Sequence, residues 1–463
     1  MLECDVGVIG AGPGGYVAAI RAAQLGASVV VVEREELGGV CLNWGCIPTK
    51  TLIYTAELYR KLQHAADLGL AVDGVKVDMK ALLKRKNAVV RRNKSGIVSL
   101  FKSYGIEVVK VEARVTGPGR IAAGKQEIAA KSIVLATGSS PGQIPGLETD
   151  GKRIITSTEA LELETVPKRV LVIGAGAVGA EFACLWNALG AEVTLVEMLP
   201  RVLPIEDEEL SKLLAKSLKK RKVDVRTDTV VAKLDRTKKG VHAEFDGAKK
   251  SPVDVDLVLV GIGRKHHSEA VTATPDLGVE TGEHGAVLVD DRMETAAKGI
   301  YAVGDVVGKT MLAHGASAEG LVAAANATGG NRRMDYRVVP SCTFTSPEVA
   351  SVGRTEAQAR EAGVDVKTGR FNFAASGRAA TMNEMEGMVK IVGDAATDEV
   401  LGVHIMGPEA GELIASAAVA MTMEATVEEI AHTIHTHPTL SEAVMEAAED
   451  YFGMGVHTPS KQP

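Results

Sequence analysis

The segment Cys41-Leu-Asn-Trp-Gly-Cys46 sets two thiols five positions apart, followed by Ile47-Pro48-Thr49-Lys50. Such a pair can cycle between dithiol and disulfide and so carry two electrons. A ferredoxin-like cluster would want a further cysteine two residues after Cys46, and Ile47-Pro48-Thr49 supplies none; no other Cys-x-x-Cys occurs to build a zinc site, so no metal is expected. Two buried bystander thiols are the remaining alternative, since free cysteine often packs as a small hydrophobe. On an ideal helix the two Cα atoms would lie ~8.5 Å apart, beyond the ~7 Å that a disulfide tolerates. A bridge therefore requires a distorted segment, and Gly38-Gly39, Gly45 and Pro48 license that distortion. Cys4, Cys184 and Cys342 have no partner motif and read as packing residues.

A second reactive group stands near the C-terminus, in His435-Thr-His-Pro-Thr-Leu-Ser-Glu442. Pro438 keeps His437 out of a continuing helix and holds it extended at a helix entrance. There His437 can act as a base, with Glu442 fixing its tautomer and raising its basicity. Two other readings stand beside this one. Thr439-Leu-Ser-Glu442 also spells a capping box, which would spend Glu442 on a backbone N–H, and His435 is an alternative base without the following proline.

What must position these groups is an internal repeat. Val6-Gly-Val-Ile-Gly-Ala-Gly-Pro-Gly-Gly15 recurs as Val170-Leu-Val-Ile-Gly-Ala-Gly-Ala-Val-Gly179, and each copy closes on a Val-rich strand ending in Glu33 or Glu197, 23 residues after its first glycine. The order is strand, glycine turn, helix, strand, acid, the beginning of a doubly wound parallel sheet. Gly10 and Gly174 permit the turn; Gly12 and Gly176 let backbone N–H groups approach a pyrophosphate; Gly15 and Gly179 allow close helix-to-strand packing. Glu33 and Glu197 would accept from a ribose diol, so two bound dinucleotides are expected. A cysteine pair just after the first such unit, flanked by glycines, favours a redox-active disulfide over bystander thiols.

Ile133 to Pro141 reads as a strand ending in a turn, Leu257 to Gly263 as a strand ending in Gly261-Ile-Gly263, and Gly299 to Val306 as a short strand whose Gly304-Asp305 corner sets a carboxylate beside a ligand. Residues from about 55 to 105 read as polar helices with the runs Lys84-Arg-Lys86 and Arg91-Arg92, taken as solvated faces without function. From Pro340 the texture changes to β-type segments, an Ala-rich helix around Glu412 to Glu424 and the histidine-bearing tail, a separate C-terminal domain. The core must be aliphatic, for Phe, Tyr and Trp number only 7, 7 and 2 against 49 glycines. A net charge of −7, without an aromatic stripe or basic block, argues against a nucleic-acid partner. The apolar run Val6 to Gly10 follows Met1 too closely for a targeting signal, and the longest uncharged stretch, Ser132 to Leu147, is broken by glycine and proline and falls short of the ~20 apolar residues of a membrane span. A cytoplasmic protein is expected.

Seven stretches together resemble the pyridine nucleotide-disulfide oxidoreductase family nearly end to end: GAGPGG at Gly10 to Gly15, CLNWGCIPTK at Cys41 to Lys50, ATG at Ala136 to Gly138, GAGAVGAE at Gly174 to Glu181, YAVGD at Tyr301 to Asp305, LGVHIMGPEAGE at Leu401 to Glu412 and HPTLSE at His437 to Glu442. The resemblance implies an α/β fold with two Rossmann-like dinucleotide-binding domains plus an α+β C-terminal dimerisation domain. Its ranges would be 1–147 for FAD, 148–274 for NAD, 275–339 for a central segment completing the FAD site, and 340–463 for dimerisation. It implies that Gly10, Gly12, Gly15, Glu33, Lys50, Thr137, Gly138 and Asp305 serve FAD, with Asp305 on the ribityl chain and Lys50 near flavin N5, paired with Glu181. Gly174, Gly176, Gly179, Glu181, Glu197 and Gly263 would serve NAD. Its activity would be oxidation of protein-bound dihydrolipoamide to lipoamide through Cys41, Cys46 and FAD, with hydride passed to NAD⁺ and His437 contributed by the other subunit of a homodimer. The implied partners are lipoyl domains and the core acyltransferase of a 2-oxo acid dehydrogenase complex, or a glycine-cleavage lipoyl protein. Relatives that reduce other disulfides with NAD(P)H mark the alternative. Against them stand the missing terminal cysteine pair, Leu440 where glutathione reductases usually carry a small polar residue, and Glu197-Met198, where NADP-preferring relatives tend to replace the acid and place an arginine close behind; Arg201 reads as a solvated charge. The sequence departs from the family at Lys265-His-His-Ser268, where another basic residue and proline usually follow Arg264, and at Gly315, where a lysine is common.

Overall fold

The computed structural model describes residues 1–459; the last four residues of the C-terminal range lie outside them. The chain forms two compact units. The first comprises Met1–Leu52, Lys80–Gly142 and Gly263–Asp335, and the second the segments Ile53–Met79 and Gln143–Ile262 together with the chain from Tyr336 onward.

In the first unit, strand β1 (Leu2–Ile9) leads through the glycine turn into helix α1 (Pro13–Gln24) and returns as strand β2 (Val29–Glu33). Every residue of β2 is buried, as a run of four valines must be inside a parallel sheet covered on both faces. Parallel pairing orders the strands Glu107–Lys110, β2, β1, Gln126–Leu135 and Ile300–Ala302, and the antiparallel strands Arg120–Ala123 and Ala113–Gly117 extend one side. Short helix α2 (Gly39–Trp44) and long helix α3 (Cys46–Gln63), which passes into the second unit from Ile53, follow β2, and helix α4 (Met79–Ser103) comes next. Alanines and glycines let α1 lie close against the helix Ala313–Ala327; a side chain on Gly14 would stand 3.2 Å from the Ala316 carbonyl oxygen.

In the second unit the repeat reappears as Arg169–Ile173, helix Ala177–Ala188 and Glu192–Val196, inside a five-stranded parallel sheet that adds Asp224–Arg226, Leu257–Val260 and Ile154–Ile155. A three-stranded antiparallel sheet, Thr229–Arg236, Val241–Gly247 and Val253–Val255, accompanies it. The C-terminal part is a five-stranded antiparallel sheet in the order Ser341–Thr343, Glu348–Gly353, Val400–Gly407, Met388–Asp394, Val366–Asn372, packed with helices Ala410–Thr422, Val427–His432 and Glu442–Tyr451. Two doubly wound parallel sheets followed by an α+β C-terminal part are the fold class that the motifs implied.

Registry places Ser341, Ser351, His404, Lys390 and Arg370 opposite one another across that last sheet. Acids from the start of helix Glu208–Lys220 meet this polar row. Lys390, 2 % exposed, donates to Asp207 Oδ2 at 3.0 Å and Glu209 Oε1 at 2.7 Å and pairs with Glu356 at 2.8 Å. Burial works against its charge, and the three carboxylates outweigh it, holding the ammonium above the ordinary lysine value. His404 is buried beside it, giving Nε2–H to the Arg354 carbonyl at 3.0 Å, and burial pushes its imidazole down, so it stays neutral. Among the described residues no helix is long and apolar enough to cross a membrane.

Candidate active site

The required distortion falls at one residue. Helix α2 ends at Trp44, Gly45 adopts φ −139° and ψ −112°, and α3 starts afresh at Cys46, which brings the Cα atoms of Cys41 and Cys46 to 4.6 Å and joins their sulfurs. A side chain on Gly45 would press on the Val40 carbonyl oxygen at 3.0 Å and on Cys41 Cα at 3.2 Å, so the break favours glycine. Polar side chains tie its two sides. Asn43 Nδ2 donates to the carbonyls of Leu37 at 3.0 Å and Gly39 at 2.9 Å, and Thr49 Oγ1 donates to the Gly45 carbonyl at 2.6 Å. Pro48 sits in the first turn of α3, where its missing N–H costs nothing. Lys50 lies on the same helix, four residues after Cys46. The disulfide segment also rests on the first glycine turn: Gly38 N–H donates to the Ala11 carbonyl at 2.8 Å, and a side chain on Gly39 would fall 2.6 Å from Gly12 Cα.

The two glycine turns are built alike. Gly10 and Gly174 have φ of +98° and +94°, a left-handed backbone suited to glycine. A side chain on Gly15 would run into the Gly10 carbonyl, and one on Gly179 into the Gly174 carbonyl. The middle glycines differ from these. A side chain on Gly12 would meet nothing nearer than Gly39 Cα at 3.9 Å, and one on Gly176 nothing within 4 Å. The fold itself therefore does not demand glycine there, whereas a pyrophosphate held against the backbone at a helix N-terminus would. Both turns fit a dinucleotide on this ground.

Glu33 and Glu197 have a duty that sequence reasoning missed. Glu33 Oε2 accepts from Ala11 N–H at 2.7 Å and Oε1 from Glu35 N–H at 2.7 Å. In the second copy Glu197 Oε2 accepts from Ala175 N–H at 2.7 Å and Oε1 from Leu199 N–H at 2.9 Å. Each carboxylate clamps its glycine turn to the end of the neighbouring strand. Its oxygens each retain a second lone pair for a ribose hydroxyl.

Asp305 follows Gly304 at the end of the strand Ile300–Ala302. Its Oδ2 accepts from Ser139 Oγ at 2.5 Å and lies 3.3 Å from Arg264 Nε, which also donates to Ser139 Oγ at 2.6 Å. The Asp305 carbonyl accepts Nδ1–H of His266 at 2.5 Å, and buried Glu319 accepts from Gly304 N–H at 2.6 Å. The unusual Lys265-His-His segment thus forms a short strand, Arg264–His266, paired with Ser139–Pro141. Thr137 and Gly138 lie beside it: Thr137 Oγ1 donates to the His267 carbonyl at 2.5 Å, and the Gly138 carbonyl accepts from His267 N–H at 3.0 Å. Ser139, Arg264 and Glu319 were not singled out in advance, for they converge from distant segments that share no local pattern. Gly263 falls in the first unit, its carbonyl accepting from Gly142 N–H at 3.1 Å.

In the second unit His437 Nδ1 stands 2.8 Å from Glu442 Oε1, while Glu442 Oε2 accepts from Thr439 N–H at 2.7 Å. Partial burial would raise the Glu442 carboxyl, but the hydrogen bonds from Thr439 and His437 prevail and hold it below the usual range. The His437 side chain is 79 % exposed. His435 instead directs Nδ1 to the Thr433 carbonyl at 2.8 Å. Glu181 is buried on the helix Ala177–Ala188, its Oε1 accepting from Phe344 N–H at 3.0 Å.

A disulfide seated on one nucleotide turn, with a second such turn in the same chain, defines a dinucleotide-dependent disulfide oxidoreductase. The chain belongs to the pyridine nucleotide-disulphide oxidoreductase family: residues 4–320 match the family's model, and residues 339–448 match its dimerisation domain. It is 46% identical to dihydrolipoyl dehydrogenase of Thermus scotoductus over 99% of both chains. It is 42% identical to the enzyme of that name from Rhizobium etli, over 97% of this chain and 98% of the relative. Among solved structures, LpdA from Mycobacterium tuberculosis superposes with a TM-score of 0.88 at 29% identity, covering 97% of this chain and 99% of the other. The HOCl-induced flavoprotein disulfide reductase RclA from Escherichia coli does so with 0.85 at 27% identity, covering 96% and 99%. The cofactors are those of the family, FAD and NAD.

Proposed function

We propose that the protein oxidises carrier-bound dihydrolipoamide to lipoamide and reduces NAD⁺. The observation that carries this reading is the Cys41–Cys46 disulfide resting on the first glycine turn, and the relatives named dihydrolipoyl dehydrogenase support it. FAD held at Gly10, Gly12, Gly15, Glu33, Lys50, Thr137, Gly138 and Asp305 supplies the two-electron step between the thiol pair and NAD⁺. Gly174, Gly176, Gly179, Glu181, Glu197 and Gly263 hold the nicotinamide dinucleotide. We divide the chain functionally at 1–147, 148–274, 275–339 and 340–463, and pair two copies into a homodimer so that each site receives His437 of the partner subunit. Lipoyl domains and the core acyltransferase of a 2-oxo acid dehydrogenase complex, or a glycine-cleavage lipoyl protein, are its partners, in the cytoplasm.

The base is the imidazole Nε2, because Glu442, an acceptor only when ionised, keeps the proton on Nδ1. It takes the proton of one substrate thiol, and the thiolate attacks Cys41 Sγ. The Cys41–Cys46 bond breaks and Cys46 leaves as a thiolate. The second substrate sulfur displaces Cys41, closing the lipoyl ring; the base returns its proton to Cys41 and takes that of the second thiol. The half-reaction ends with lipoamide, a Cys41 thiol, a Cys46 thiolate and one proton on the imidazole. Steady-state rates with dihydrolipoamide, reduced glutathione and reduced thioredoxin, each with NAD⁺ and NADP⁺, test this reading. Dihydrolipoamide with NAD⁺ should lead by orders of magnitude, and Cys41→Ser should abolish that turnover with FAD still bound. Preference for another thiol, or turnover by the serine variant, overturns it.

A further inference from the structure

Helix α4 carries eight basic residues and no acidic one in 25 positions. Its inner face is fixed by buried Leu82, Lys86, Ile97 and Phe101. On the opposite side Lys80, Lys84, Arg91 and Lys102 are exposed. Their spacings of four, seven and eleven residues place them within about 40° of one another, in a stripe about 33 Å long. None of the four forms an ion pair among the described residues, and half-exposed Val98 lies in the same stripe. A merely solvated helix mixes the two signs of charge and gains from the i,i+4 pairs; this one accumulates a single sign at the cost of self-repulsion.

The stripe has a fixed address. Arg85 Nη1 of α4 donates to the Thr51 carbonyl at 3.2 Å, five residues beyond Cys46 on α3. One side chain of the basic helix therefore reaches the first turns of the helix that begins at the reactive disulfide. Resting on the function proposed above, we infer that this stripe is the docking surface for an acidic carrier domain bearing the dihydrolipoyl group. The whole chain has a net charge of −7, so an acidic domain is repelled elsewhere and drawn to the stripe, which speeds encounter at the place where the thiols are needed. The only aromatic residue of α4, Phe101, is buried, leaving no exposed ring on the helix to stack a base, which favours a protein over a nucleic acid.

The test compares wild type with the quadruple variant Lys80→Glu/Lys84→Glu/Arg91→Glu/Lys102→Glu and with its all-Gln counterpart. The substrates are free dihydrolipoamide and a dihydrolipoylated carrier domain of net negative charge; binding of the oxidised carrier is followed by fluorescence anisotropy. KM for the carrier should rise at least tenfold in the Glu variant and less in the Gln variant, kcat and KM for the free substrate should stay within twofold, and the wild-type carrier affinity should fall with added salt. Equal carrier KM in all three proteins, equal losses with both substrates, or tighter binding of a duplex oligonucleotide than of the carrier overturns the assignment. If wild type oxidises no dihydrolipoamide, the functional reading falls and the anisotropy arm alone decides whether the stripe binds the carrier.

Discussion

Glu442 grips Nδ1 of His437 at 2.8 Å with one oxygen and the N–H of Thr439 at 2.7 Å with the other. The backbone N–H and the proposed base, which compete for Glu442 in the sequence, are therefore both served, one by each carboxylate oxygen, although the capping box itself is only half formed: Thr439 Oγ1 donates to the Thr436 carbonyl at 2.7 Å and Ser441 precedes the helix. The ring is oriented by a group that is itself oriented by the start of a helix. His437→Gln should lower kcat for dihydrolipoamide oxidation by roughly 10²- to 10⁴-fold. Glu442→Gln, which retains an oxygen acceptor without the charge, should cost less than the loss of the base itself. NADH oxidation by a two-electron dye, measured on the same preparations, should change little in either variant.

The glycine turns make a paired prediction. Gly12→Ala and Gly176→Ala meet open space in the protein, so both variants should fold; the first should lose FAD on gel filtration, and the second should keep FAD while its KM for NAD⁺ rises at least tenfold. Gly15→Ala and Gly179→Ala collide with backbone carbonyls, and both should yield little folded protein.

At the helix break, Gly45→Ala forces the Val40 carbonyl and Cys41 apart from the new methyl group, an overpacking of about 1–3 kcal/mol. Titration with a thiol reagent under denaturing conditions should find a larger fraction of Cys41 and Cys46 reduced than in wild type, and dihydrolipoamide turnover should fall in proportion. A wild-type disulfide content and rate would show that the break tolerates a side chain.

His404 sets a pH dependence of stability. Its folded-state pKa is depressed by burial below the ordinary 6.5. Above that value both states are neutral and nothing changes. As pH falls below it, the unfolded chain takes up a proton that the folded chain refuses, and stability drops by up to about 1.4 kcal/mol per pH unit until the folded pKa is reached. Burial raises the Glu57 carboxyl to about 7, which acts with the opposite sign in the same window; urea unfolding of the FAD-saturated protein between pH 5 and 7 should therefore show the His404 slope as the difference between wild type and His404→Gln.

Lys390→Met removes one cation from a buried cluster and strands Asp207, Glu209 and Glu356 without it. The expected loss is about 3–5 kcal/mol, seen as a lower thermal midpoint. A double variant, Lys390→Met/Asp207→Leu, should recover part of it.

Much of this architecture is legible in the sequence because it repeats and because its signals are local. Val6 to Gly15 and Val170 to Gly179 announce strand and turn, and the φ values of Gly10 and Gly174 match that reading. Around Cys41 and Cys46 the glycines and Pro48 showed that the backbone was free to bend; only coordinates show that Gly45 bends and that Asn43 and Thr49 stitch the bend. The cage about Asp305 was not readable, since Ser139, Arg264 with His266, and Glu319 come from three separate stretches of chain. Nor was the clamp of Glu33 on Ala11, for a carboxylate that binds a ligand and one that holds a loop look alike in sequence.

The break at Gly45 also makes two chemically identical sulfurs unequal. Cys41 lies inside a six-residue helix, whereas Cys46 is the first residue of an eighteen-residue one, where unpaired N–H groups and the positive end of the helix favour negative charge. This favours the order of attack proposed above, in which Cys46 is the better-stabilised thiolate and leaving group and incoming sulfur meets Cys41. That order of attack would be set by the main chain, at the one position between the two sulfurs that carries no side chain.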